Sequence, residues 1–300
     1  MKPVKIITDS CADLTGELLE KYNVDYAKMR YTYNDTEKVA KLTWSEDEIH
    51  ELYNVMRDGN RVTTAQVPAE EYTEVFTKYI EEGYDIVSIS CSSKQSSSVN
   101  TSYVVRDELL AKYPDAKILC IDSLNSCIPL GALVIEAAKM VQAGKNADEV
   151  YAWVMANRKT VLQYATVHSL KTMYKAGRLK GSTAFFGNLL GVKPILINDV
   201  DGCQTGFKKV KGRENSFKEI VSLLRENILD AENQVIYLAH ADCDKEEVEL
   251  LKGMVKEAIP ECKDVYVSYI GPIIGGTIGP DAVCLSAFGK EVTFKAEESK

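Results

Sequence analysis

Asp85-Ile-Val-Ser-Ile-Ser-Cys-Ser-Ser-Lys-Gln-Ser-Ser-Ser98 carries the pattern on which the fold turns. Asp85–Ser90 sets β-branched apolar residues among small ones, as a buried strand does, and hydroxyls follow at once. The same grammar recurs on both sides of it. Val4–Thr8 runs into Asp9-Ser10, and Lys117–Ile121 runs into Asp122-Ser123. The segments between these runs have helical spacing. Glu46–Arg57 places Ile49, Leu52, Tyr53 and Met56 on one face, with Ser45 and Glu48 spelling a capping box at its start. Behind Pro68, the residues Tyr72, Val75, Phe76, Tyr79 and Ile80 form one apolar stripe. Pro129–Ala143 and Asn146–Asn157 read as two more helices, the second capped by Asn146 with Glu149. Strands alternating with helices predict β-α-β units and a parallel layered sheet.

The second half keeps the style and changes the spacing. Gln163–Val167, Val192–Ile197, Val235–Ala239 and Val265–Ile270 read as strands, and Ser216–Leu229 and Asp244–Ala258 as amphipathic helices, with Asp244 and Glu247 marking a start. The Asp201-Gly202 pair after Ile195–Ile197 predicts a hairpin, so this sheet is expected to be mixed. The fold class expected is α/β with two domains, residues 1–158 around a parallel sheet and 159–300 around a mixed one. Glu297–Lys300 reads as a frayed tail.

A chain of 300 residues with net charge -8 has no basic face for nucleic acid and none for anionic headgroups. No apolar run reaches the length of a membrane span. The eight cysteines include no C-x-x-C pair and several sit in apolar runs, so they read as buried, reduced thiols. With an apparent strand starting a few residues after Met1 and no signal peptide, a cytoplasmic protein is expected. Neither a Walker A loop nor a Gly-x-Gly-x-x-Gly fingerprint occurs, and no cofactor is implied.

Ligands of parallel α/β sheets bind at the carboxyl ends of the strands. There the chain offers Thr8-Asp9-Ser10, Ser92-Ser93, Ser96-Ser97-Ser98 and Asp122-Ser123, with Thr63 and Thr64 ahead of the helix at Pro68. Hydroxyls at a helix start suit an anion; the same residues also serve as caps and turn closers. Enzyme chemistry is sparse. His50 belongs to a charged, solvated face, His240 reads as a structural histidine, and His168 ends a strand near the domain junction. A serine nucleophile would need His168 or His240 beside it. The glycines of Gly271–Pro280 mark either a loop of close backbone approach or a plain turn. Arg178, after a helical pattern, either caps it or faces a ligand.

These landmarks, taken in order, resemble the DegV family of bacterial fatty-acid-binding proteins along nearly the whole chain. The carriers of the resemblance are Ile7–Leu14, Thr63–Tyr72, Ser92–Ser98, Asp122-Ser123, Gly177-Arg178, Val192–Leu196 before Asp201-Gly202, and Gly271–Pro280. The resemblance implies a two-domain α/β fold that buries a long-chain fatty acid in a tunnel. It implies that Thr64 and Ser96 hold the carboxylate, with Ser97, Arg178 and Thr277 as secondary neighbours. It also implies that the protein is a carrier with no catalysis of its own, presenting its ligand to a fatty acid kinase where the cell has one. The chain departs from the family pattern at Gln95 for leucine, Ser97 for glycine, Thr277 for histidine and Asp281 for glycine. Asp281 would bring negative charge to the head-group end. Two other readings compete: a divergent binder of small anions, and a serine hydrolase.

Overall fold

The computed structural model describes residues 2–179 and 191–296; the tail read as frayed lies outside them. Three sheets organise the described residues. The first is parallel throughout, in the order β2 (Asp25–Ala27), β1 (Val4–Asp9), β6 (Asp85–Ser90), β7 (Ile118–Asp122). Its inner strands β1 and β6 are buried almost end to end, which is why their sequences read as continuous runs. Around it lie α1 (Gly16–Tyr22), α3 (Ala69–Glu81), α4 (Ser98–Lys112), α5 (Cys127–Gln142) and α6 (Ala147–Asn157). A small antiparallel sheet of β4 (Thr36–Ala40), β3 (Met29–Tyr33) and β5 (Thr63–Ala65) sits beside it with α2 (Glu46–Arg57).

The large sheet runs β10 (Gln204–Lys211), β9 (Val192–Asn198), β8 (Val161–Thr166), β13 (Val283–Phe288), β11 (Val235–His240), β12 (Asp264–Tyr269). Only β11 and β12 pair in parallel; the other pairs are antiparallel, so the sheet is mixed, as the Asp201-Gly202 hairpin implied. One face buries Leu162, Ile195, Leu238 and Leu285 in a cluster with residues of α8 (Arg213–Asn227) and α9 (Lys245–Ala258). The other face packs on α5. That helix is apolar nearly all round, from Cys127 to Ala138, which suits an element covered on both sides. A single core cluster accordingly runs from Ile6 and Ile89 through Leu133 to Ala165, Leu196 and Ala239.

Several local expectations needed correction. The capping boxes at Ser45 and Asn146 form, but Asp244 makes no side-chain cap, and Glu247 instead pairs with Arg213 at 2.9 Å. Pro68 is the N-cap residue of α3, one place before the first turn. Gly271–Pro280 is neither loop nor plain turn: Pro272–Ile278 forms α10, with Pro272 at its first position. The close backbone approach is nevertheless present. A Cβ on Gly276 would lie 2.9 Å from Val62, and one on Gly275 would meet the Tyr53 ring. Of the cysteines, Cys203 and Cys262 are partly exposed and the other six are buried.

Candidate functional site

Five residues singled out from the sequence, Thr64, Ser96, Ser97, Arg178 and Thr277, line one cavity of about 140 Å³. They reach it from four separate places in the fold. Thr64 lies on the edge strand β5, opposite Tyr31 of β3. Its hydroxyl has no hydrogen-bond partner among the described residues. Ser96 and Ser97 come from the loop that leaves β6 and enters α4. Arg178 follows α7 (Lys171–Ala176), whose C-cap Gly177 takes φ 66 and turns the chain back. Thr277 lies on α10, which the two glycines bring against β5 and α2.

The serine loop is held by its own hydrogen bonds. Ser92 N–H donates to Asn125 O at 2.8 Å, Ser93 N–H to Asp122 Oδ1 at 3.2 Å, and Ser96 N–H to Ser92 O at 3.0 Å. Ser92 Oγ donates to Gly202 O at 2.8 Å, and Gln95 Nε2 donates to Gly202 O at 3.1 Å and to Asn198 Oδ1 at 3.0 Å. The hairpin of the second sheet is thus fastened to the loop of the first, and Gln95 is a bridge rather than a polar residue in an apolar slot. Ser97 takes φ -81, a backbone any residue adopts, so a serine stands there without strain where the family has glycine.

Within this frame Ser96 is poised as a donor. Its Oγ lies 2.8 Å from Ser98 Oγ and accepts from Ser98 N–H at 3.3 Å. Ser98 Oγ already accepts from Val67 N–H at 3.1 Å. When Ser98 donates its proton to Ser96, both acceptor positions of Ser96 are filled and its own O–H is left for the cavity. Thr277 is less available, because its hydroxyl turns back to Ile273 O at 3.3 Å. Arg178 donates to Ala176 O at 2.7 Å and to Gln95 O at 3.3 Å, which brings an exposed positive charge to the lip.

Sequence reasoning missed the rest of the lining. Cys11, Met29, Cys91, Met173, Ile273 and Ile278 supply an apolar wall, and Gln204 and Ser126 add polar groups. The apolar members carry no mark that separates them from core. Ser126 was not singled out from the sequence, because the sequence predicts a helix start at Pro129 and not at Cys127. Among the described lining residues, Arg178 is charged and none is a carboxylate. Asp281, expected to bring negative charge to the site, does not line the cavity: its carboxylate pairs with Arg57 at 2.7 Å.

Two buried acids brace the cavity floor from behind. Asp9 accepts from Cys11 N–H at 2.9 Å and Cys91 N–H at 2.8 Å, joining the ends of β1 and β6. Burial pushes its pKa up to about 6 against those hydrogen bonds. Asp13 accepts from Gly271 N–H at 2.9 Å at the start of α10, and burial pushes it up to about 7. The histidines stand apart from the serine loop. His240 is buried, its Nδ1 accepts from Cys243 N–H at 3.3 Å, and burial lowers its pKa to about 4. His168 is not a lining residue, and burial lowers its pKa too. His50 is half-exposed but not merely solvated, since it pairs with Asp242. Among the described residues no group of three His, Cys, Asp or Glu side chains is placed to hold a metal ion.

A parallel sheet and a mixed sheet, with a cavity lined by both hydroxyl and apolar side chains, define an α/β fold of two sheet units. The chain belongs to the DegV family, whose model it matches over residues 3–290. A DegV domain-containing protein of Clostridium perfringens is 36% identical over 279 residues, covering 93% of this chain and 95% of the relative. Among solved structures, a DegV lipid-binding protein from Thermotoga maritima has a TM-score of 0.82 at 25% identity, covering 97% of this chain and all of that one. A stearic-acid-binding protein from Eubacterium ventriosum has a TM-score of 0.83 at 22% identity, with 96% and 98% covered. No helix among the described residues is long and apolar enough to cross a membrane.

Proposed function

We propose that this protein is a non-catalytic carrier that binds a long-chain fatty acid, with the carboxylate on Thr64 and Ser96 and the acyl chain along the apolar wall. The observation that carries this reading is a single cavity lined by both kinds of chemistry. The hydroxyls of Thr64 and Ser96 and the Arg178 guanidinium share it with Cys11, Met29, Cys91, Ile273 and Ile278. A carboxylate removed from water requires several donors, and hydroxyls provide them without a competing charge. Each buried methylene then adds roughly 0.8 kcal/mol. The absence of an imidazole from the described lining favours a carrier over a serine hydrolase, whose nucleophile needs a base. Presentation to a fatty acid kinase draws less support from the head-group end. Thr277 replaces an imidazole there and spends its hydroxyl on Ile273 O.

Extraction of the purified protein followed by mass spectrometry is expected to release a free fatty acid in stoichiometric amount. Thr64→Val combined with Ser96→Ala should weaken fatty-acid affinity by at least roughly ten-fold, as loss of two hydrogen bonds to a charged group implies, with the circular dichroism spectrum unchanged. Unaltered affinity in that folded variant would place the carboxylate elsewhere. A protein that takes up acetate or phosphate but no long chain would instead be a small-anion binder.

A further inference from the structure

Helices α4 and α5 both begin at the cavity, and their N-cap residues, Ser97 and Ser126, are among its lining. An N-cap serine ordinarily gives its oxygen to a first-turn N–H of its own helix. Neither does so here. Ser97 is exposed and water can satisfy it. Ser126 is different: it is only 1% exposed, and its Oγ has no hydrogen-bond partner. A buried hydroxyl left in this state has lost its hydration with nothing in return, so a hydroxyl placed this way on a cavity wall calls for a partner inside the cavity.

The surroundings say what charge that partner carries. α5 is 16 residues long, with no acidic residue in its first turn, and its N-terminal end bears the positive pole of the helix. No carboxylate occurs among the described lining residues, and Arg178 is there. The loop of Ser126 also abuts the loop of Ser96, through the bond from Ser92 N–H to Asn125 O at 2.8 Å. On both sides of Ser126 the backbone is unusual, Leu124 at φ 59 and Cys127 at φ 56, so the hydroxyl is presented by a constrained segment.

We infer that Ser126 is a third hydroxyl ligand of the bound carboxylate, donating from the N-terminus of α5 beside Thr64 and Ser96. This rests on the fatty-acid reading above and deepens it: two helix N-termini and three hydroxyls select an ionised head group over a neutral one of equal chain length.

The test compares oleate with oleyl alcohol, titrated into wild type, Ser126→Ala and Ser126→Thr by calorimetry. Ser126→Ala is expected to bind oleate roughly ten-fold more weakly, as loss of a charge-assisted hydrogen bond implies, and to change oleyl alcohol affinity by less than about two-fold. Ser126→Thr keeps the hydroxyl and should restore most of the oleate affinity. Equal losses for acid and alcohol would show a packing role and overturn the inference, as would unchanged oleate affinity in Ser126→Ala. If Ser126→Ala does not fold, Ser126→Cys, which keeps the size but offers only a weak donor, decides: a reduced acid-over-alcohol preference supports the inference, and a preference kept as in wild type overturns it. Wild-type protein that binds neither ligand would remove the fatty-acid reading itself, a result separable from the failure of Ser126.

Discussion

At the scale of single residues, the buried acids behind the cavity make the clearest prediction. Asp13 is wholly enclosed and ionises at about 7 in the folded protein, against 3.8 for an unperturbed aspartate. Between those two values the folded state holds the proton and the unfolded state has lost it. Stability contributed by this group is therefore complete below about pH 4 and lost as pH rises toward 7, with no further loss above. Asp9, at about 6, acts in the same direction over a narrower window. Asp13→Asn keeps an oxygen for Gly271 N–H and removes the charge. The variant should be more stable than wild type at pH 8, on the order of 4 kcal/mol, and the difference should shrink to nearly nothing at about pH 3.5. Urea unfolding at the two values reads both quantities. A gap of equal size at both would show that the substitution acts through shape rather than charge.

At the scale of elements, α5 decides how the two sheets meet. Gly131 is where it crosses the turn at Ser10–Ala12. A Cβ there would stand 2.5 Å from Ala12 O and 2.8 Å from Leu14 Cδ2. The first of these is backbone and cannot step aside, so Gly131→Ala should destabilise the fold by about 1–3 kcal/mol despite the better helix propensity of alanine. It should also shift the start of α5 and weaken fatty-acid binding, which a thermal melt and a titration would report together. Elements like α5 were legible because their patterns are strong. β1, β6 and β7 are buried runs ending in hydroxyls, and α2 and α3 have a clear apolar stripe. Elements made by tertiary contact were not. β2, β3 and β4 are short, and Glu37 and Lys38 blur any alternation. β13 contains Cys, Ser and Ala, which give little β signal although every residue but Phe288 is buried. α10 is rich in glycine and has little intrinsic preference for a helix; its glycines stand where Tyr53 and Val62 leave no room for a Cβ at Gly275 and Gly276.

At the scale of the whole molecule, the site exists only because distant segments meet, and sequence could name its polar members but not its apolar wall. Thr64 and Ser96 are marked by unusual clustering of hydroxyls, whereas Met29 and Ile273 look like any core residue until the fold places them on a cavity. Beside the shared core, the halves are also joined by an ion cluster whose members do not line the cavity. Arg57 of α2 pairs with Asp242 at 2.6 Å, donates to Asp242 O at 2.6 Å and pairs with Asp281 at 2.7 Å, while His50 also reaches Asp242. The Asp242 side chain is only 5% exposed, so its charge relies on those partners. Arg57→Met would leave a buried carboxylate with a half-exposed histidine as its remaining partner, and should lower stability by about 3 kcal/mol at pH 8. Adding Asp242→Asn to Arg57→Met removes the stranded charge and should recover part of the stability at pH 8. If the double variant is instead no better than Arg57→Met alone, the guanidinium acts through its hydrogen bonds to the backbone of the second half rather than by neutralising Asp242.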